Sequence, residues 1–209
     1  MKKLFTKNNK LYLLTDRTIS RLSHVQLVRI ALSAGVRTIQ FREKNMPRKQ
    51  LYKEVVPIQK LVKKYRATFI INDHVDIAKA VDADGVHLGQ EDMPVEEARK
   101  VLGKRKVIGI STHSLSQAVR AEKSGADYIG FGPVFQTSTK KAGRPKGIDG
   151  LRKIRKRIHI PIVAIGGITW ENVNEVLESG ADACAIVSGI LSGDIKKNIK
   201  RFYAAIEGA

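Results

Sequence analysis

Short apolar runs rich in β-branched residues alternate along the chain with longer stretches whose apolar side chains recur every three or four positions. The runs are Leu11 to Thr15, Thr38 to Arg42, Thr68 to Asn72, Gly85 to Leu88, Val107 to Ser111, Tyr128 to Phe131, Ile162 to Ile165 and Ala183 to Val187. Between them, sets such as Leu22, Val25, Val28 and Leu32, or Val173, Val176 and Leu177, fall on one face of a helix. The rhythm is therefore strand, helix, strand, helix, eight times over, at roughly 26 residues per unit. Strands joined through helices run parallel, and eight such units close into a single α/β (β/α)8 TIM barrel. One catalytic domain over residues 1–209 is expected, with residues 1–10 as a basic N-terminal extension. An open doubly wound sheet is the structural alternative, disfavoured because Thr15, Asp16 and Arg17 stand where a glycine fingerprint would follow the first strand. Ser33-Ala34-Gly35, Ser124-Gly125-Ala126 and Ser179-Gly180-Ala181 read as helix C-caps, where glycine suits the left-handed turn.

Composition narrows the class. With 43% hydrophobic and 28% charged residues, neither a disordered chain nor a membrane protein describes the whole. The apolar stretch from Ile160 to Ile168 is far shorter than the roughly 20 residues of a bilayer span. The first ten residues lack the apolar core of a signal peptide, so cytoplasmic residence is expected. Cys184 is the one cysteine and reads as a buried structural thiol. The charge, 38 Lys plus Arg against 20 Asp plus Glu, raises nucleic acid as a partner, but the cations are scattered and aromatics reach only 6%, so a solvated basic surface without specific nucleic-acid binding is expected.

In a barrel of this kind chemistry gathers where strands end. After the second run, Gln40, Arg42 and Lys44 alternate to one side, and a guanidinium fork beside an ammonium suits phosphate oxygens; a solvated charged loop is the plainer alternative. The third run ends at Asn72-Asp73, and the fourth leads to Asp92. These carboxylates, from adjacent strand ends, can converge on a hard cation such as magnesium, with phosphate supplying further oxygens. Asp92 could instead cap the next helix, since Pro94 follows. His74, His87 and His113 share no zinc-like spacing. Ser111 ends the fifth run without a nucleophile elbow, so ligand contact is expected rather than acyl chemistry. The long segment after the sixth run carries Thr137, Thr139 and Lys140 and has the composition of a lid; a plain surface loop is the alternative. Gly166-Gly167 and Val187-Ser188 end the last two strands, where this fold recurrently binds phosphate through backbone amides. Two anion sites and a magnesium, with no nucleophile and no cofactor fingerprint, point to joining a diphosphate ester with a second phosphorylated molecule.

The strings Gln40-Phe41-Arg42-Glu43-Lys44, Ile71-Asn72-Asp73, Asp84 to Asp92, Gly109 to His113, Gly130 to Phe135, Thr137 to Lys140 and Ala164 to Ile168 together resemble the thiamine phosphate synthase family, over about Leu11 to Ser188. Asn45 and His74 depart from the commoner residues without removing a proposed ligand. The resemblance implies condensation of 4-amino-2-methyl-5-(diphosphooxymethyl)pyrimidine with a carboxylated thiazole ethyl phosphate, giving thiamine phosphate, diphosphate and carbon dioxide. It implies Mg2+ on Asp73 and Asp92, and a pyrimidine diphosphate site at Gln40, Arg42, Lys44, Asn72, Ser111 and Lys140, with Arg42, Lys44, Ser111 and Lys140 carrying catalysis. Thiazole phosphate contacts fall on Thr137, Thr139, Gly167, Val187 and Ser188. The partners implied are small phosphorylated molecules, with no membrane and with a homo-oligomer left open. The related thiazole tautomerase is the alternative enzyme, for which His113 would be the acid or base, and a nonenzymatic RNA-binding barrel is a more distant one.

Overall fold

The structure is a computed structural model that describes residues 5–6, 9–137, 139 and 143–208. Eight short strands form the frame: β1 (Leu11–Leu14), β2 (Thr38–Phe41), β3 (Thr68–Asn72), β4 (Gly85–Leu88), β5 (Val107–Thr112), β6 (Tyr128–Phe131), β7 (Ile162–Ile165) and β8 (Ala183–Ile186). Each pairs in parallel with its sequence neighbours, and β8 returns to β1 with Cys184 beside Leu11, so the sheet closes without an edge. The expected eightfold barrel is thus the observed one.

Helices fill the connections: α1 (Arg17–Ser20), α2 (His24–Ser33), α3 (Arg48–Lys64), α4 (Val75–Ala80), α5 (Val95–Leu102), α6 (Leu115–Lys123), α7 (Gly147–Arg155), α8 (Val173–Glu178), α9 (Ser188–Leu191) and α10 (Ile195–Glu207). The one-turn helices α1 and α9 were too short for periodicity to reveal. Asp16 caps α1 by accepting from the Thr18 and Ile19 amides. Gly35, Gly125 and Gly180 take positive φ behind α2, α6 and α8, as the small-residue phrases predict. No described helix is long and apolar enough to cross a membrane.

Strand alternation sorts the apolar residues into two cores. Leu11 and Leu13, with Ile39, Phe41, Phe69 and Ile71, face the helices in the larger one. Cys184 lies there too, fully buried, and burial raises its thiol well above the ordinary range, which suits an inert structural cysteine. Tyr12, Leu14, Ile70, Tyr128, Val163, Ala183 and Ala185 point inward. Phe5, from the basic segment 1–10, packs on this inner core with its ring 6.2 Å from Tyr12 and 5.9 Å from Tyr128, so part of that segment closes the barrel floor.

Inner space is set by glycine. A Cβ on Gly109 would stand 2.0 Å from Cζ of the Tyr128 ring, which is fully buried and cannot yield. Gly109→Ala is therefore expected to lose about 3 kcal/mol of stability, the upper range for overpacking. A lowered urea midpoint at unchanged slope would establish this; an unchanged midpoint would mean the inner core is loose.

Candidate active site

The C-terminal strand ends enclose two adjoining cavities. One, about 90 Å³, lies inside the barrel mouth and is lined by Gln40, Arg42, Asn72, His87 and Ser111. The other, about 120 Å³, is lined by Thr137, Thr139, Gly167, Val187 and Ser188, and again by Arg42 and Ser111. Of the residues expected around a pyrimidine diphosphate, Gln40 and Asn72 line the first cavity, Arg42 and Ser111 line both, and Lys44 lines neither, standing instead with Asp16, Arg42 and Glu43 around a third, more open cavity. Lys140 lies outside the described residues.

The loop after β2 is held from behind. Thr15 Oγ1 accepts from the Arg42 amide at 3.1 Å, and the Arg42 guanidinium stands 4.0 Å from Asp16. Glu43 turns the other way, to the side chains of Arg17 and His24 and the Asn45 amide. Partial burial opposes its ionisation, but the Asn45 bond, the His24 contact and the Arg17 charge together hold its carboxyl below the ordinary range. Anchoring residues of this sort escaped the sequence reading, because Thr15 and Glu43 act through folded contacts with residues up to 27 positions away. The period-two pattern does mark Glu43 as opposite to Arg42 and Lys44.

Asp73 sits in the left-handed region, φ 62°, where its amide donates to the His87 carbonyl at 2.9 Å. Its carboxyl lies within hydrogen-bond reach of the Asp92 carboxyl, and Lys44 Nζ stands 3.5 Å from its Oδ2. Burial first, and then the neighbouring Asp92, raise the Asp73 carboxyl above the ordinary range, against the opposing pull of Lys44. Asp92 does not cap α5: Pro94 occupies the N-cap with no side-chain bond, and Asp92 Oδ2 instead accepts from the Gly89 amide at 2.6 Å. Two carboxylates converging from neighbouring strand ends are an oxygen donor set of the kind a magnesium ion takes alongside phosphate and water. Among the described residues no group of three or more His, Cys, Asp or Glu gathers, so a zinc-type cage is not built.

Across the mouth, the sixth loop is pinned to the seventh. The Phe135 amide donates to the Gly166 carbonyl at 3.0 Å, and a Cβ on Gly167 would meet the Gln136 carbonyl oxygen at 2.5 Å. Positive φ at Gly167, 64°, adds a second reason for glycine. Thr139 Oγ1 bonds Ser188 Oγ at 3.3 Å, joining loop six to the end of β8. His113 Nδ1 contacts the Gly132 carbonyl at 2.7 Å, and the ring lines the larger cavity.

A polar chain crosses the barrel interior beneath these pockets. Gln40 Nε2 donates to Tyr12 Oη at 2.8 Å; Tyr12 and Tyr128 hydroxyls meet at 2.8 Å; Tyr128 Oη meets His87 Nδ1 at 2.9 Å; and His87 Nε2 meets Ser111 Oγ at 2.9 Å. Gln40 lines the smaller cavity, and its Oε1 is buried with no hydrogen-bond partner among the described residues. The tyrosines read as apolar core in the sequence, and only the closed barrel, which brings residues 12 and 128 together, exposes their polar role.

A family profile described as thiamine monophosphate synthase matches residues 11–190. The thiamine-phosphate synthase of Clostridium novyi is 48% identical over 189 residues, covering 90% of this chain and 93% of its own. That of Lawsonia intracellularis is 50% identical over 199 residues, covering 94% and 92%. Among solved structures, the thiamine phosphate pyrophosphorylase of Pyrococcus furiosus superimposes with a TM-score of 0.88 at 42% identity, covering 97% of this chain and 98% of that one.

Proposed function

The chain belongs to the thiamine monophosphate synthase family, transferases of thiamine biosynthesis, and from that premise we propose how its barrel mouth joins the aminopyrimidine diphosphate to the thiazole phosphate. The reading rests on one observation above all: two cavities, one walled by Gln40, Asn72 and His87 and one by the glycine and hydroxyl ends of β7 and β8, share Arg42 and Ser111. Two substrates held in adjoining pockets gain the proximity contribution directly.

The pyrimidine takes the smaller cavity, where Gln40 Oε1, without a partner among the described residues, accepts from its amino group and Ser111 orients the ring. Its diphosphate extends toward Arg42, Lys44 and Asn72. The bond from methylene carbon to diphosphate oxygen breaks, the electron pair leaves with the diphosphate, and the amino-substituted ring stabilises the cation. The thiazole nitrogen, presented from the second cavity by phosphate contacts at Thr137, Thr139, Gly167, Val187 and Ser188, then forms the new carbon–nitrogen bond, and the carboxylated thiazole loses carbon dioxide. No nucleophilic side chain is required. Fixed positive charge aimed at the departing oxygens is, and Arg42 and Lys44 provide it, with Lys140 assigned to the same task from the sequence. Asp73 and Asp92 would hold magnesium, which supplies further neutralisation of the diphosphate when bound.

Mixing the two precursors with the protein and magnesium, and following thiamine phosphate and diphosphate together, tests the reading. Stoichiometric release of both products is expected. Isomerisation of the thiazole phosphate alone, without coupling, would instead assign the tautomerase activity.

A further inference from the structure

With the Gln40 amide nitrogen as donor at one end, the hydrogen bonds of the buried chain favour one direction. Tyr12 and Tyr128 are fully buried and His87 nearly so, with Tyr12 and His87 on the wall of the smaller cavity. Gln40 Nε2 carries only hydrogens toward Tyr12, so Tyr12 Oη accepts there. The single Tyr12 hydrogen then has one acceptor among the described residues, Tyr128 Oη. Tyr128 in turn has its one hydrogen to give, and His87 Nδ1 is the acceptor in reach. A ring nitrogen that accepts is unprotonated, so the imidazole hydrogen sits on Nε2 and is donated to Ser111 Oγ.

We propose that Tyr128 is a positioning residue: through His87 it makes Ser111 an acceptor inside the protein, and so turns the Ser111 hydroxyl hydrogen toward the substrate. Gln40, whose Oε1 has no hydrogen-bond partner among the described residues, lines the same cavity. The cavity thus offers an acceptor at Gln40 and a donor at Ser111. An aminopyrimidine offers the complement, an amino hydrogen next to an unprotonated ring nitrogen, whereas its oxo counterpart offers the reverse. Tyr128 is therefore a determinant of amino-over-oxo selectivity, a statement that rests on the proposed function for the identity of the ligand. The barrel is shaped around this chain. Gly109 makes room for the Tyr128 ring, and a Cβ on Gly130 would come within 3.0 Å of His87 Cε1.

The test starts on the substrate-free full chain. Imidazole ¹⁵N shifts, with the His87 signals identified by their loss in His87→Gln, are expected to report a hydrogen on Nε2 and none on Nδ1. A hydrogen on Nδ1, or on both nitrogens, overturns the proposal, since the chain would then run the opposite way or be broken. In Tyr128→Phe the fixed tautomer is expected to give way to a mixture, while Tyr12→Phe keeps it, because Tyr128 still donates to His87. That contrast separates positioning from the mere loss of a buried hydroxyl, and the parent chain and Tyr12→Phe decide the matter even if Tyr128→Phe folds poorly. In turnover, Tyr128→Phe is expected to lower kcat/KM for the aminopyrimidine diphosphate about tenfold, and to narrow discrimination against the oxo analogue by about the same factor. KM for the thiazole phosphate should stay within about twofold. Retained tautomer and retained discrimination in Tyr128→Phe would overturn the assignment. An Nε2 hydrogen in a protein that makes no thiamine phosphate would refute the proposed function and leave the hydrogen-bond polarity standing.

Discussion

Asp92→Ala is expected to turn over about 10³-fold more slowly than the parent chain at saturating magnesium, and thorough chelation is expected to stop the parent altogether. The carboxylate has two tasks in the structure: it meets Asp73 at the mouth and holds the Gly89 amide at 2.6 Å. Asp92→Asn keeps an acceptor for Gly89 and removes the charge, so a similar loss in both variants assigns the effect to metal binding rather than to loop shape. Turnover with normal magnesium dependence in Asp92→Ala would sink the metal assignment. The same pair yields a stability signature of known sign. Asp73 is raised in the folded chain, so its contribution favours folding below its ordinary pKa and is lost as pH rises through the folded value. At neutral pH the metal-free protein therefore carries a cost, which a bound divalent cation would relieve. Asp73→Asn removes the charge, tolerates the left-handed backbone at that position, and gives up only a half-exposed ion pair with Lys44. Its metal-free Tm at pH 7 should be higher than the parent's by about 2–4 °C, the response of a domain this size to about 1 kcal/mol. The gap should close in acid, and Tm should no longer rise with magnesium.

The barrel was legible because each strand is a short β-branched run followed by a helical period, and a chain this length has room for eight such units and little else. Strand ends marked the candidate site for the same reason: in a parallel barrel every polar residue that follows a strand arrives at one rim, so Arg42, Asn72, Ser111, Gly167 and Ser188 could be expected at one rim, where they line the two cavities. What stayed hidden depends on contacts across the barrel. Tyr12 and Tyr128 are indistinguishable from core aromatics until β1 and β6 face each other through the interior. His87, inside a four-residue strand with Val86 and Leu88 on either side, gave no sign of a partner on β5. Thr15 looked like a strand terminus rather than the anchor of the Arg42 amide. The capping alternative for Asp92 failed because Pro94 already starts α5 with a preset backbone, leaving the carboxylate to fold back on Gly89.

Arg42 is the residue whose loss should be felt by both substrates. It lines both cavities, its backbone is fixed by Thr15, and its guanidinium is about a quarter exposed, with the Asp16 carboxylate, 4.0 Å away, as its one ion-pair contact among the described residues. A guanidinium so weakly engaged within the protein is available for a planar, two-pronged hold on phosphate oxygens. Arg42→Ala is expected to lower kcat/KM for the aminopyrimidine diphosphate by about 10²-fold to 10³-fold, the loss seen when one preorganised donor to developing charge is removed. Arg42→Lys restores the charge without the fork, so it should recover part of kcat and little of the binding. Because the shared wall is also lost, KM for the thiazole phosphate should rise in Arg42→Ala, which a residue confined to one pocket, such as Asn72, should not cause. Steady-state kinetics varying each substrate in turn decide the matter. A thiazole KM unchanged in Arg42→Ala would mean that the two cavities work as independent pockets, and equal activity in Arg42→Lys and the parent would mean that charge alone, without the guanidinium geometry, carries the departing diphosphate.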